Sequence, residues 1–351
     1  MKKVLAFILT ISMLFALSAC NIKDVTRMAT ADGDLAIEKG LFNYYLYSAQ
    51  MNILSSAQQS GVALDATSNE KDWETTMIGE KSAKELVLEE AKETIKSILV
   101  MKAVAIKEGI TLTEEDYETV KAQRTSLIEQ FGGRYNYEQY FTAGGFTLED
   151  VTKAIETELY AQKISAKYFN FEEDEETMTE IAQEVAKYYE ENYVAAKHIL
   201  IMNQPEDAEA DEEAIKKADA DAKAKAEEII KDLDGGADFD KLMNELSQDP
   251  GLADAPEGYV FTKGAMVKEF EDEAYALEVG AYSKAPVATD YGYHIVKKIE
   301  LPTVGDQYDA AITESENKVL SDKTSAKIDE WAEEVGFKFN EKAIKNVKMV
   351  K

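Results

Sequence analysis

Val194-Ala-Ala-Lys197-His198-Ile-Leu-Ile-Met202 is the stretch that decides the fold, because it is a short β-type run unlike anything before it. Upstream, the chain follows helical spacing. Ile37, Leu41, Tyr44, Tyr45, Met51 and Leu54 predict one long helix from about Ala36, followed by loop over 57–80. Leu86, Ala91, Ile95, Ile98, Leu99 and Ile106 predict a second helix, which Gly109 ends. Thr113-x-x-Asp116 and Thr147-x-x-Asp150 have the form of capping boxes and start two more, with the aromatic stretch 131–146 between them. A further helix is expected over 172–193.

Downstream of Met202 an Ala/Lys/Glu-rich helix over 209–233 stops at Gly235-Gly236, and Asp238-Phe239 opens a short one. A Pro/Gly/Asp loop at 249–257 leads to a strand at 259–261, then to a helix over 266–277 that Gly280 closes. Strands follow at 286–288 and 293–296. The order β-α-α-β-α-β-β predicts a small antiparallel or mixed sheet flanked by helices. From Leu301 the chain is helical again. The fold class is therefore α+β: an α/β domain over 193–301 inserted between a helical domain, 36–192, and a helical segment, 302–351, that packs back on it. Ile312, Val319, Leu320, Ile328 and Trp331 are the apolar set expected to make that contact.

At the N-terminus, Met1-Lys-Lys and the apolar run 4–17 precede Leu17-Ser18-Ala19-Cys20. The run is too short to span a bilayer and has the form of a secretory signal. An ordinary small-residue cleavage site or a short anchor would start the same way. Cys20 is the only cysteine, so it has no partner for an intramolecular disulfide. Its setting resembles the lipobox of bacterial lipoproteins. That resemblance implies removal of residues 1–19, a diacylglyceryl thioether on Cys20, a polar tether over 20–35 and residence on the outer face of a cell membrane. No other apolar run approaches the ~18–20 residues of a membrane helix, so the remainder is expected to be soluble.

Lys and Arg number 39 against 68 Asp and Glu, a net charge of −29. A field of that sign repels phosphate backbones, which argues against a nucleic-acid partner. The acidic run 206–213 is expected to be a solvated face or loop.

Only two histidines occur, His198 and His294, each at a strand of the α/β segment. They are either a pair on one small sheet or two unrelated strand residues. Without a third ligand at suitable spacing no metal site is expected, and no cofactor motif is present. No G-x-S-x-G and no second cysteine offer a nucleophile. Met266 and Phe270, four apart on the expected helix, share a face and form either an apolar cup or plain core.

Lys197-His198-Ile-Leu-Ile-Met202, Gly236-Ala-Asp-Phe239, Leu246-Ser247-Gln-Asp249, Gly264-Ala-Met266-Val-Lys-Glu-Phe270, Ala276-Leu277-x-x-Gly280 and Thr289-Asp-Tyr-Gly-Tyr-His294-Ile295 resemble, in order, the blocks of the parvulin family of peptidyl-prolyl cis/trans isomerases. The flanking helical segments make the whole similar to PrsA-type foldases and SurA-type chaperones. The resemblance implies that His198, Asp249 and His294 are catalytic, with the two imidazoles bridged by hydrogen bonds. It also implies that Met266, Phe270 and Phe261 hold the proline ring, with Ser247 and Thr289 beside it. The implied partners are unfolded secreted polypeptides with X-Pro bonds. Two positions depart from the family pattern: Gly258-Tyr259 stands where a leucine is usual, and Ala265 replaces a glutamine. A holdase that only binds such segments, and an acidic solute-binding lipoprotein, are the competing expectations.

Overall fold

The computed structural model describes residues 26–32, 34–65, 67–171, 175–205 and 211–350. The expected signal peptide, Cys20 and most of the acidic run 206–213 lie outside them. Two compact units result: one ends at Asn170 and resumes at Ser325, and the other is Phe171–Thr324.

The first unit opens with strands β1 (Arg27–Ala31) and β2 (Leu35–Glu38), paired antiparallel. Then come α1 (Lys39–Gln59), α2 (Glu70–Thr75), a short pair β3 (Met77–Ile78) and β4 (Lys81–Ser82), α3 (Ala83–Lys107), α4 (Glu114–Gln130), α5 (Arg134–Ala143) and α6 (Leu148–Tyr168). Both expected capping boxes form. The Thr113 and Thr147 amides donate to Asp116 Oδ2 at 2.7 Å and Asp150 Oδ2 at 2.8 Å, while each threonine hydroxyl accepts the amide three residues on. Helix α3 buries Val87, Ala91, Ile95 and Leu99 in the core, whereas Ile106 is exposed. The buried stripe thus lies one residue away from the one anchored on Leu86.

The polar stretch expected as a tether to residue 35 ends earlier than that. Met28, Ala29 and Ala31 are fully buried in β1, which lies at the centre of a three-stranded sheet. The strand is only five residues long, and its second partner is more than 300 residues away.

The second unit holds α7 (Glu175–Asn192), β5 (Tyr193–Met202), α8 (Glu212–Asp234), α9 (Phe239–Leu246), a 3-10 turn (Pro250–Ala253), β6 (Tyr259–Thr262), α10 (Lys268–Ala276), β7 (Val287–Thr289), β8 (Gly292–Ile299) and most of α11 (Asp306–Glu334). Its sheet has the order β6-β5-β8-β7 with antiparallel neighbours, so the expected α/β layer is present. Alternation along the strands sorts the core into two faces. Ile199, Ile201 and Ile295 pack with Ile229 and Phe239 on the α8/α9 face. Val194, Ala196 and Val296 pack with Phe261, Phe270 and Ala274 on the α10 face. Among the described residues there is no pair of large α/β lobes, which the solute-binding expectation requires.

Helix α7 and the start of α11 join this unit, contrary to the expected boundaries at 192/193 and 301/302. Ile181 and Val185 of α7 are buried with Val319, and Ile312 and Leu320 pack against them. Tyr189, Tyr193 and Ala311 form a further cluster. Only Ile328 and Trp331 of the expected apolar set enter the helical core of the first unit. After α11 the first unit is completed by β9 (Lys338–Phe339), paired with β1, and by α12 (Glu341–Ile344). No helix among the described residues is long and apolar enough to cross a membrane.

Candidate active site

The pleat of the sheet brings the histidines together. In register, His198 of β5 faces Val296 of β8, and His294 faces Leu200. The two imidazoles are therefore diagonal neighbours on one face, the α10 face, where long side chains on adjacent strands meet. Their ring centroids are 5.1 Å apart at a tilt of 58°. Both are buried, with 9% of His198 and 5% of His294 exposed.

Phe270 lies against both rings, edge-on at 5.2 Å from His198 and 5.5 Å from His294. Phe261 is 5.8 Å behind it. Met266 is half-buried on this cluster, but it does not share a helix face with Phe270. Val267 is extended and caps α10, which starts only at Lys268, so Met266 comes from the preceding turn. The cup is assembled from two elements rather than one.

The polar groups divide between the imidazoles. Thr289 Oγ1 shares a hydrogen bond of 2.9 Å with His294 Nε2. Asp249 Oδ2 lies 3.5 Å from His198 Nε2, an electrostatic rather than a hydrogen-bonding distance. Neither Nδ1 atom has a hydrogen-bond partner among the described residues. The expected hydrogen-bonded bridge between the rings is thus absent, because each Nε2 is turned to a different neighbour. Ser247 points elsewhere too: its Oγ accepts the amides of Leu200 at 3.1 Å and Asp249 at 3.4 Å, pinning the loop that carries Asp249 to β5. Gln248 strengthens the same seam, its amide donating to Leu200 O and its side chain accepting from Met202 N.

Tyr259, in the sequence only a departure from the family's leucine, belongs to the site. Tyr259 opposes Ala196 on β5, which is two residues from His198 and on the same face. Ala196 leaves the space above it open, and the phenol leans across to stack on His198 at 5.6 Å and 23°. Its hydroxyl donates to Asp249 Oδ2 at 2.6 Å. The preceding Gly258 has φ +103, and a Cβ there would stand 2.7 Å from Ala196 O. Gly258 is therefore backbone geometry and Tyr259 the wall. Ala265, the other departure, is exposed in the turn before α10.

Burial dominates the electrostatics. It lowers the pKa of His198, against the pull of Asp249. His294 is lowered to about 4, by burial first and by the second imidazole next, with Asp249 opposing. Both rings are therefore neutral at pH 7. Below the ordinary 6.5 the unfolded chain takes up a proton that folded His294 refuses. Stability is thus full above about 6.5 and falls as the pH drops to about 4, by ~3 kcal/mol for this residue. Urea midpoints of wild type and His294→Gln at pH 7 and pH 4 check this. The variant is expected to lose less stability on acidification, and equal losses would assign the acid sensitivity to other groups. Among the described residues no group of three or more His, Cys, Asp or Glu could hold a metal ion.

Comparison with known proteins adds the following. The rotamase model, a PPIC-type PPIASE domain, matches residues 198–300. The chain is similar to the protein named foldase protein PrsA in Geobacillus kaustophilus (strain HTA426), 34% identical over 176 residues, 48% of this chain and 55% of that one. It is equally similar to its namesake in Geobacillus sp. (strain WCH70), 34% identical over 212 residues, 59% of this chain and 62% of the relative. The chain thus spans less than two thirds of the length of these two. With the foldase protein PrsA of Caldanaerobacter subterraneus subsp. tengcongensis the identity is 30% over 259 residues, 71% of this chain and 69% of the relative.

Proposed function

This chain belongs to the PrsA foldase family, and from that membership we propose that it is a peptidyl-prolyl cis/trans isomerase that assists the folding of exported polypeptides at X-Pro bonds. The observation that carries the proposal is the buried pair His198 and His294 set edge-on against Phe270, with Asp249 and Thr289 each facing one imidazole.

The reaction suits those groups. An amide rotates over a barrier of ~18–20 kcal/mol because its planar form is stabilised by resonance. No covalent bond has to form. A proline ring gripped by Phe270, Met266 and Phe261 holds one side of the bond while the preceding carbonyl turns. In a site stripped of water, the planar amide, with its larger dipole, loses more solvation than the twisted one. Neutral imidazoles keep the site free of fixed positive charge and leave polar edges for the moving amide. His198, Asp249 and His294 are the residues assigned to catalysis, and Thr289 holds His294 in place.

The lipid attachment at Cys20 completes the proposal and rests on the sequence before that residue. It would keep the chain on the outer face of the membrane, where polypeptides emerge unfolded.

The test uses the full mature chain. It is expected to accelerate cis/trans exchange of an X-Pro tetrapeptide and the proline-limited refolding of a protein substrate. Acceptance of unfolded chains without any acceleration would replace the isomerase by a holdase. Cys20→Ser is expected to leave an unprocessed precursor lacking the lipid, and normal lipidation of that variant would refute the anchor.

A further inference from the structure

We propose that Tyr259 is a positioning residue of this site, its hydroxyl fixing the Asp249 carboxylate at a set distance from His198 while its ring covers the imidazole. The inference rests on the isomerase reading above and deepens it by adding a residue at a position where the parvulin pattern has no phenol.

Three observations carry it. The first is that one oxygen serves two neighbours. Asp249 Oδ2 accepts from the Tyr259 hydroxyl at 2.6 Å and stands 3.5 Å from His198 Nε2. A short bond to a charged acceptor outcompetes a longer contact, so the carboxylate is held back from the imidazole.

The second is that the loop is built around the phenol. Asp249 Oδ1 accepts the Gly251 amide at 3.1 Å, which leaves Oδ2 to point at the tyrosine. A Cβ at Gly251 would lie 2.3 Å from the Tyr259 hydroxyl, so a side chain there would push the phenol off the carboxylate. The third is placement: β6 carries Tyr259 opposite the small Ala196, and the ring fills the space over His198. Burial and the aspartate together push the phenol's own ionisation up, so it remains a donor throughout the neutral range.

The groups facing His198 are Asp249, Tyr259, Phe270 and His294. Of these, only Asp249 attracts a proton to it. Without the phenol, the carboxylate is free to close on Nε2 and bond it directly. The imidazole then becomes easier to protonate and loses its neutral, mobile edge.

The test is Tyr259→Phe in the full chain, read in two ways. Because the protein has two histidines, their ring signals can be followed by NMR through a pH titration. His198 is expected to titrate higher in Tyr259→Phe than in wild type. Isomerisation of an X-Pro peptide is expected to fall about tenfold in kcat, with KM within about twofold, since the apolar cup is untouched. A merely structural tyrosine would lower the melting temperature and leave both the His198 titration and the kcat of the folded fraction unchanged, and that result would overturn the proposal.

If Tyr259→Phe does not fold, wild type compared with Asp249→Ala still decides. A hydroxyl proton shared over 2.6 Å should give a far-downfield resonance that disappears in Asp249→Ala. Absence of that signal in folded wild type would also overturn the proposal. Should wild type fail to isomerise the peptide at all, the isomerase reading falls and this role with it. A catalytically active wild type beside an equally active Tyr259→Phe removes the positioning role alone.

Discussion

Deleting residues 325–351 is expected to unfold the helical unit outright while leaving the α/β unit folded. Ile328, Trp331, Val335, Ile344, Val347, Met349 and Val350 are all buried in the core of the first unit. At ~1.5–3 kcal/mol for each such side chain, they contribute roughly 10–20 kcal/mol of gross burial. A domain's whole net stability is about 5–15 kcal/mol. The deletion also strips β1 of one neighbour, β9, leaving a buried strand with an open edge. Gln50 would lose its two bonds to the Val350 backbone, both 3.0 Å, and remain as an unpaired amide in the core. The second unit keeps Ile312, Val319 and Leu320, which seat on α7. Hydrogen exchange on the truncated chain should therefore show α3 and α6 unprotected and β5 and β8 as protected as before. Protection of α3 at full-chain levels would show that the helical unit holds without its C-terminal part.

The sequence instead places the whole of 302–351 on the helical domain, and the difference shows where sequence patterns stop being informative. Ile312 and Val319 lie on one side of α11 and Ile328 on nearly the opposite side at 3.6 residues per turn, yet the helix is continuous through all of them. Periodicity reports that a face is apolar but not which core receives it. Residues 27–31 show no clear strand pattern for a related reason, since this five-residue strand is paired with Lys338 and Phe339 at the far end of the chain and buried in the helical core. Local patterns fared well where the signal was itself local: the capping boxes at Thr113 and Thr147, and the order of strands and helices around the second sheet.

The site was legible to a comparable degree. His198 and His294 stood out by being the only histidines, and even-numbered places on two antiparallel strands put them on one face. Met266 was misplaced by two residues because Val267 is extended, and an extended cap leaves no mark in an apolar spacing. Tyr259 was read as a missing leucine. Its contribution depends on Ala196 across the strand pair and on Gly251 under its hydroxyl, and neither relation is visible along the chain.

Replacing His294 by alanine is the second large effect expected, and it falls on rate rather than on fold. The ring contacts Phe270 and His198, and its Nε2 is held by Thr289. Loss of an edge that stabilises the twisted amide should lower kcat/KM by about a hundredfold, equivalent to ~2.7 kcal/mol of barrier. Phe270→Ala is the contrasting case. That ring is 4% exposed and is part of the core behind the site, so its removal should cost ~3–5 kcal/mol of stability as well as grip on the proline. Asp249, its side chain 13% exposed, contributes little apolar packing, and its removal leaves the Tyr259 hydroxyl and the Gly251 amide to find other partners.

The most direct measurement is therefore kcat/KM for an X-Pro peptide at pH 7.5, on full-length wild type, Asp249→Ala and His294→Ala, with each variant's folded state checked by its melting transition. Wild type is expected to show measurable catalysis, and both variants are expected to lose about tenfold or more while remaining folded. A folded His294→Ala protein that isomerises the peptide as fast as wild type would contradict that expectation.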